Sequence, residues 1–292
     1  MLEVISPSVR ELLPDDTVDC VISGLRFTEG PVWNPKRQSL LFSDILGNAI
    51  YEYREGTLST YRCPSAMANG LALDTEGRLL SCEHAGRRVT REESDGSLVL
   101  LADRYEGKRL NSPNDVIVRS TGDIYFTDPP FGLTREYGVP GEREISYQGV
   151  YRLDSQQVLE LVAGDFELPN GLALSPDERL IYVDDSQHNH IRVFDVSDDG
   201  SLVNGRLFAE MDARSGDGVA DGLKTDEFGN VYVCGPSGIW IFDPSGNPLG
   251  ILHLPEVVAN LAWGGHDGRT LFITATTSVY RIHTAVRGAH VL

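Results

Sequence analysis

The stretch Pro169-Asn-Gly-Leu-Ala-Leu-Ser-Pro-Asp-Glu-Arg-Leu-Ile-Tyr-Val-Asp-Asp-Ser186 decides the fold. Two short apolar runs flank a Ser-Pro-Asp turn, and this pattern is typical of a β-hairpin. Five further copies of the pattern occur along the chain, and every copy starts at a residue with a side-chain oxygen. The six starts are Glu29, Asn69, Asn114, Asn170, Asp221 and Asn260.

The spacing of the starts identifies the architecture, because they lie 40, 45, 56, 51 and 39 residues apart. A period of about 40–50 residues made of short strands indicates a β-propeller with one four-stranded antiparallel sheet per repeat. Four repeats also carry a glycine where a tight turn needs a positive φ angle, namely Gly77, Gly122, Gly229 and Gly268. We therefore predict an all-β fold, a six-bladed β-propeller, as a single domain over residues 1–292.

The last repeat has only three clear strands. An open sheet edge invites aggregation, and a ring of blades hides it by pairing strands from the two ends of the chain. We expect a strand from the N-terminal segment 19–27 to complete the last blade.

Composition excludes several partners. The net charge of −18 argues against nucleic acid, which needs clustered Lys and Arg. The sequence contains no apolar run long enough to span a bilayer, and its N-terminus lacks the features of a secretory signal. Cytoplasm is the default expectation, although a secreted form that has lost its signal fits the same sequence. The sequence makes no prediction of the oligomeric state.

The six starts should converge on one axis, because the first strands of a propeller line its central channel. A ring of carboxylate and amide oxygens suits Ca²⁺ or Mg²⁺ better than zinc. Two carboxylates would also neutralise a divalent ion in a confined channel. The alternative is that Asn and Asp begin strands because they close turns. Six oxygen-bearing residues at the same position of the repeat favour a cation site instead.

Other polar residues should lie on the same face as the starts. His84 and Asp185 each follow a start by fifteen residues. His84 either contacts substrate, carries a proton or is a hydrogen-bonded loop residue, and Asp128 either contributes to the site or caps a turn. The longest insertion, residues 129–148, should cover this face as a lid. With Asn69, His84 and Asp185, the lid is predicted to form a substrate pocket.

Several motifs together resemble the senescence marker protein, gluconolactonase and luciferin-regenerating enzyme family of six-bladed propellers, and most closely its microbial gluconolactonases. The motifs are Glu29-Gly-Pro-Val-Trp33, Leu110-Asn-Ser-Pro-Asn-Asp-Val116, Phe126-Thr-Asp-Pro-Pro-Phe-Gly132, Pro169-Asn-Gly-Leu-Ala173 and Ala220-Asp-Gly-Leu223. The resemblance implies one catalytic divalent cation held by Glu29, Asn170 and Asp221. It gives Asn114 as a fourth ligand or a substrate contact. Ca²⁺ is expected first, and open sites of this kind also tolerate Mg²⁺ or Zn²⁺.

Hydrolysis of a sugar lactone follows from this resemblance. The ion would polarise the lactone carbonyl, and water would attack it because no activated Ser or Cys is evident. Asp221 is the predicted base, with Glu29 and His84 as alternatives. Some relatives place an arginine two residues before the Asn114 position, where this chain has Ser112. The alternative functions are a phosphotriester or fluorophosphate hydrolase that uses the same ion, and a non-enzymatic binding propeller, which needs no ring of oxygens.

Overall fold

The computed structural model describes residues 1–290 and consists almost entirely of short antiparallel strands. The N-terminal segment contains β1 (Leu2–Val4), a short helix α1 (Val9–Leu12) and β2 (Asp19–Ile22). The first blade contains β3 (Thr28–Asn34), β4 (Ser39–Asp44), β5 (Ala49–Arg54) and β6 (Thr57–Arg62). The second blade contains β7 (Ala68–Leu73), β8 (Leu79–Glu83), β9 (Arg88–Glu92) and β10 (Leu98–Ala102).

The remaining four blades follow the same plan. A hairpin, β11 (Arg104–Tyr105) and β12 (Lys108–Arg109), precedes the third blade of β13 (Val116–Val118), β14 (Ile124–Thr127), β15 (Gln148–Leu153) and β16 (Leu159–Phe166). The fourth contains β17 (Pro169–Leu174), β18 (Leu180–Asp185), β19 (His190–Val196) and β20 (Leu202–Glu210). The fifth contains β21 (Leu223–Thr225), β22 (Val231–Gly235), β23 (Gly238–Phe242) and β24 (Pro248–Leu252). The sixth contains β25 (Val258–Gly264), β26 (Thr270–Ala275) and β27 (Ser278–His283). Short 3₁₀ helices occupy Phe131–Leu133 and Ala213–Ser215.

Strand pairing confirms the predicted six-bladed propeller, since consecutive strands pair within each blade and the first strand is innermost. The four turn glycines have positive φ angles, as expected. Within residues 1–290, no helix is long and apolar enough to cross a membrane. The assignment of residues 1–292 to a single domain stays a prediction, and its last two residues lie outside the described part.

Closure of the ring uses the N-terminal segment as expected. β2 pairs with β27, with Cys20 opposite Tyr280, and completes the last blade. One addition was not predicted: β1 pairs with β24 and extends the fifth blade to five strands. Its three residues are too few to show an alternating pattern in the sequence.

The core lies between neighbouring blades. At the closing seam, Ile22 of β2 packs with Leu40 and Phe42 of the first blade and with Phe272 and Val279 of the sixth. This cluster joins the closing strand to both blades, so burial of apolar surface adds to the stabilisation from strand pairing.

The six starts are positioned by irregular pairing at one end of the inner strands. In β3, β7, β17 and β25 the register with the next strand shifts beside the start, as in a β-bulge, which redirects side chains. In the third and fifth blades, regular pairing begins only after the start residue. The bulges and late starts leave the six side chains around the mouth of the channel.

Neighbouring inner strands also touch backbone to backbone at this mouth. A Cβ atom on Gly70 would lie 2.5 Å from the carbonyl oxygen of Asn114. A Cβ atom on Gly171 would lie 2.5 Å from the carbonyl oxygen of Asp221. Glycine therefore follows four of the six start residues, because a side chain there would push adjacent blades apart. The exceptions are Asn114 and Asn260, which precede Asp115 and Leu261.

We expect Ile22→Ala to reduce the free energy of unfolding by about 2 kcal/mol, because it removes buried apolar groups at the closing seam. Urea denaturation measures this change. Val4→Ala is the control, since Val4 is 43% exposed on β1 and its truncation should cost less than about 0.5 kcal/mol. Equal effects of the two substitutions would contradict a closure that depends on β2.

Candidate active site

The six start residues surround one mouth of the central channel. Five of them are buried, and Asp221 is half-buried. The buried five are Glu29, Asn69, Asn114, Asn170 and Asn260. The structure therefore brings together all the residues predicted to bind the cation at one end of the inner strands.

Glu29 is held in place by two donors. Its Oε2 accepts hydrogen bonds from the backbone N–H of Gly30 at 2.6 Å and from Asn260 Nδ2 at 3.1 Å. Burial and the nearby charge of Asp115 raise the pKa of Glu29 to about 7, although the Gly30 N–H opposes the shift. This carboxylate is fixed in orientation, but its charge is poorly compensated.

Asp221 lies beside Glu29. Its Oδ1 accepts a hydrogen bond from the N–H of Gly222 at 3.0 Å. Burial raises the pKa of Asp221 well above its usual range, and the charges of Glu29, Asp184 and Asp115 add to the increase. Carboxylates buried this close together need a counter-charge to ionise together.

Three charged residues of this cluster were not predicted from the sequence: Asp115, Asp184 and Lys224. Asp184 is fully buried and accepts a hydrogen bond from the N–H of Gly171, and its pKa is raised well above the usual range by burial. Asp115 is also buried, and its Oδ2 lies 3.7 Å from Lys224 Nζ. Both aspartates stand next to a residue that the sequence had already indicated: Asp115 follows Asn114, and Asp184 precedes Asp185. Together with Glu29 and Asp221, they place four carboxylates beside one ammonium group.

The donors at the mouth fit a hard divalent cation. Asn170 Nδ2 donates to Ser186 Oγ at 3.0 Å, so its carbonyl oxygen is turned away from that partner. The carboxylates of Glu29 and Asp221 and the amide of Asn114 provide further oxygen ligands. Within residues 1–290, no group of three or more His, Cys, Asp or Glu side chains is arranged to hold a metal ion. Amide oxygens would therefore have to complete any coordination shell.

His84 has both ring nitrogens in hydrogen bonds to the protein. Its Nδ1 lies 2.9 Å from the carbonyl oxygen of Tyr137, so this nitrogen carries the proton. Its Nε2 lies 3.2 Å from Asn69 Nδ2 and accepts that N–H. Burial lowers the pKa of His84 to about 4. This geometry favours the alternative in which His84 is a hydrogen-bonded loop residue. A direct contact of His84 with substrate stays a prediction.

Asp185 and Asp128 hold the connections that enter their blades. Asp185 accepts hydrogen bonds from the N–H groups of Glu167 at 2.8 Å and Leu168 at 3.1 Å. Asp128 accepts one from the N–H of Asn111 at 2.7 Å. These bonds give both carboxylates a positioning role, whereas the substrate contact predicted for Asp185 stays a prediction.

The insertion 129–148 lies on the same face as the start residues. Its first turn is held by Ser112, whose Oγ donates to the carbonyl of Pro129 at 2.6 Å and accepts from the N–H of Gly132 at 2.9 Å. Further along, Arg87 donates to the carbonyl of Glu142 at 3.3 Å. The insertion therefore extends from the third blade over the second, where His84 and Arg87 contact it.

Comparison with known proteins identifies the family. Residues 27–277 match the family described as the SMP-30/gluconolactonase/LRE-like region. The chain is 32% identical to a gluconolactonase of Zymomonas mobilis, over 97% of this chain and 86% of that protein.

Solved structures give the same answer. A gluconolactonase of Xanthomonas campestris is 35% identical and superposes with a TM-score of 0.91, over 97% of this chain and 94% of that one. A calcium-binding regucalcin of Agrobacterium tumefaciens, 18% identical with a TM-score of 0.75 over 95% of each chain, shares the fold. The chain thus belongs to the SMP-30/gluconolactonase/LRE-like family.

Proposed function

We propose that this protein is a lactonase that hydrolyses a small sugar lactone, such as gluconolactone, to the open acid. The observation that carries the proposal is the pair of close carboxylates, Glu29 and Asp221, at a channel mouth lined with amides. Relatives at 32% and 35% identity are gluconolactonases, which supports the same substrate class. A cytoplasmic location stays a prediction.

The residues that would hold a divalent cation are Glu29, Asn114, Asn170 and Asp221. Ca²⁺ is our first choice because the donors are hard oxygens of mixed charge, and Mg²⁺ or Zn²⁺ are the alternatives. When bound, the ion supplies a Lewis acid that polarises the lactone carbonyl and stabilises negative charge on its oxygen.

Asp221 is the residue we propose as the base. It is half-buried, so water can approach it from the mouth. Glu29 is less free to act, because Gly30 and Asn260 already bind its Oε2. His84 ranks behind both, since neither ring nitrogen is free to accept a proton from water.

A pH-indicator assay on gluconolactone and other aldonolactones, with and without chelator, tests the proposal. We expect acid release that chelator abolishes and Ca²⁺ restores. A fluorophosphate serves as the comparison substrate and should turn over slowly or not at all. Turnover unaffected by chelator would contradict the metal dependence, and inactivity on every lactone would contradict the assigned reaction.

Asp221→Asn should reduce kcat/KM by about 10²–10⁴-fold, because it removes the base but keeps an oxygen at the same place. Elemental analysis of the dialysed variant separates loss of the base from loss of the ion. Asp217→Asn is the matched control in the same loop, where the residue is exposed, and its activity should equal that of the wild type. Undiminished kcat/KM in Asp221→Asn would exclude Asp221 as the base.

Chelator-treated protein should lose stability as the pH rises. The folded-state pKa of Glu29, about 7, exceeds its ordinary value of 4.5, so protonation favours the folded state. This contribution is complete below about pH 4.5 and is lost as the pH rises through about 7. Urea midpoints measured between these pH values should fall less steeply with rising pH for Glu29→Gln than for the wild type.

Glu55→Gln provides the control for that slope, because Glu55 is exposed in a turn of the first blade. Its slope should match the wild type. A wild-type slope in Glu29→Gln as well would show that Glu29 ionises without cost in the folded protein.

A further inference from the structure

The lid, residues 129–148, is fixed by close packing as well as by hydrogen bonds. A Cβ atom on Gly132 would lie 2.6 Å from Cβ of His84 and 2.7 Å from Cβ of Ser112. Ser112 is fully buried, and its hydroxyl makes both of its hydrogen bonds to the lid backbone. The start of the lid is therefore held in one position over the second blade.

Tyr137 is the lid residue whose aromatic ring packs against Phe27, just before the first blade. Its ring centroid lies 5.4 Å from that of Phe27 and 6.2 Å from that of Phe131. Phe27 precedes Glu29 by two residues, so the ring packs beside the strand that provides a proposed cation ligand. Tyr137 is neither fully buried nor fully exposed.

The pKa of the Tyr137 hydroxyl responds to one carboxylate of the mouth, that of Asp221. Burial is the largest cause that raises the pKa of this hydroxyl to about 12, the charge of the neighbouring Glu136 and a hydrogen bond to its side chain add to it, and the charge of Asp221 contributes least. The phenol is therefore neutral over the physiological range and can donate or accept a hydrogen bond.

Asn69 offers a second uncharged group at the same mouth. Its Nδ2 donates to His84 Nε2, so its Oδ1 is directed away from the imidazole. That oxygen is buried and has no hydrogen-bond partner among residues 1–290. A buried acceptor without a partner is costly, by about 1–3 kcal/mol, and a ligand hydroxyl would remove the cost.

His84 connects these two groups. One ring nitrogen donates to the backbone carbonyl of Tyr137, and the other accepts from the Asn69 amide. The imidazole thereby fixes the lid residue and the amide orientation together, and its lowered pKa keeps it in the single neutral form that allows both bonds.

We propose that Tyr137 is a substrate-binding residue whose hydroxyl and the Oδ1 of Asn69 bind two hydroxyl groups of the lactone, and that His84 is the positioning residue that aligns them. This proposal rests on the lactonase function and specifies its substrate class as neutral, polyhydroxylated lactones. Both recognition groups are uncharged, and the four nearby carboxylates disfavour an anionic substituent on the sugar.

Tyr137→Phe keeps the ring packing and removes the hydroxyl. Loss of one hydrogen bond of about 1–1.5 kcal/mol should raise KM for gluconolactone about 5- to 10-fold and leave kcat nearly unchanged. KM for δ-valerolactone, which has the same ring without hydroxyls, should not change. Tyr53→Phe is the matched control, because β5 pairs Tyr53 with Leu40 at the far end of β4 from the mouth. It should leave both KM values unchanged.

The role of His84 is tested by a double-mutant cycle with Asn69. If His84 acts by orienting Asn69, His84→Phe and Asn69→Leu should each raise KM for gluconolactone, and the double variant should be little worse than the worse single variant. His84→Gln can donate to Tyr137 and accept from Asn69, so it should recover most of the affinity. Circular dichroism confirms that each variant is folded.

The outcomes separate this proposal from the function on which it rests. A wild-type protein without activity on any lactone contradicts the lactonase assignment. An active wild type with unchanged KM in Tyr137→Phe contradicts the substrate-binding role of Tyr137. A fall in kcat on both lactones in His84→Phe, with a shifted acidic limb of the pH profile, contradicts the positioning role and identifies His84 as the base.

Discussion

The structure depends on the close approach of six inner strands around one axis. At three of the six junctions a glycine meets the backbone of the next blade, and these places have no room even for a Cβ atom. Hydroxyl groups reinforce the contact from neighbouring blades: Ser43 donates to the carbonyl of Asn69, and Thr127 donates to that of Asn170. Because each contact fixes the backbone of a start residue, the ring geometry sets where the functional side chains point.

That convergence concentrates negative charge. Four carboxylates lie around the channel, and Lys224 Nζ lies 3.7 Å from one of them, Asp115. Burial raises the pKa of both Glu29 and Asp221, and the uncompensated charges of neighbouring carboxylates add to the increase. A divalent cation, as we propose, would remove the repulsion and turn a destabilising cluster into a binding site.

Much of this arrangement was predictable from the sequence because a propeller repeats one unit. The period gave the blade count, and the common register placed Glu29, Asn114, Asn170 and Asp221 at one mouth. Residues outside the repeated position were not predicted. One of them is Asp184, whose neighbour Asp185 was predicted to contact the substrate instead. Alternation along a strand sends Asp184 and Asp185 in opposite directions, and the sequence does not indicate which one faces the channel.

The partners of His84 could not be predicted either. Its bonds join a loop of the second blade to an insertion of the third, 53 residues away in the chain. No repeat or motif encodes such a contact, since it depends on how the lid folds back over its neighbour. The same holds for β1, which reaches the fifth blade from the opposite end of the chain.

The central claim is that the carboxylate cluster and a divalent cation are coupled through protons, and calorimetric titration of dialysed protein with Ca²⁺ tests it most directly. Heats measured in buffers of different ionisation enthalpy count the protons released per ion. At about pH 6.5 we expect release of about one proton or more, decreasing towards about pH 9 as Glu29 ionises before the ion arrives. Binding of Ca²⁺ without proton release at the lower pH, or no binding at all, would contradict the account.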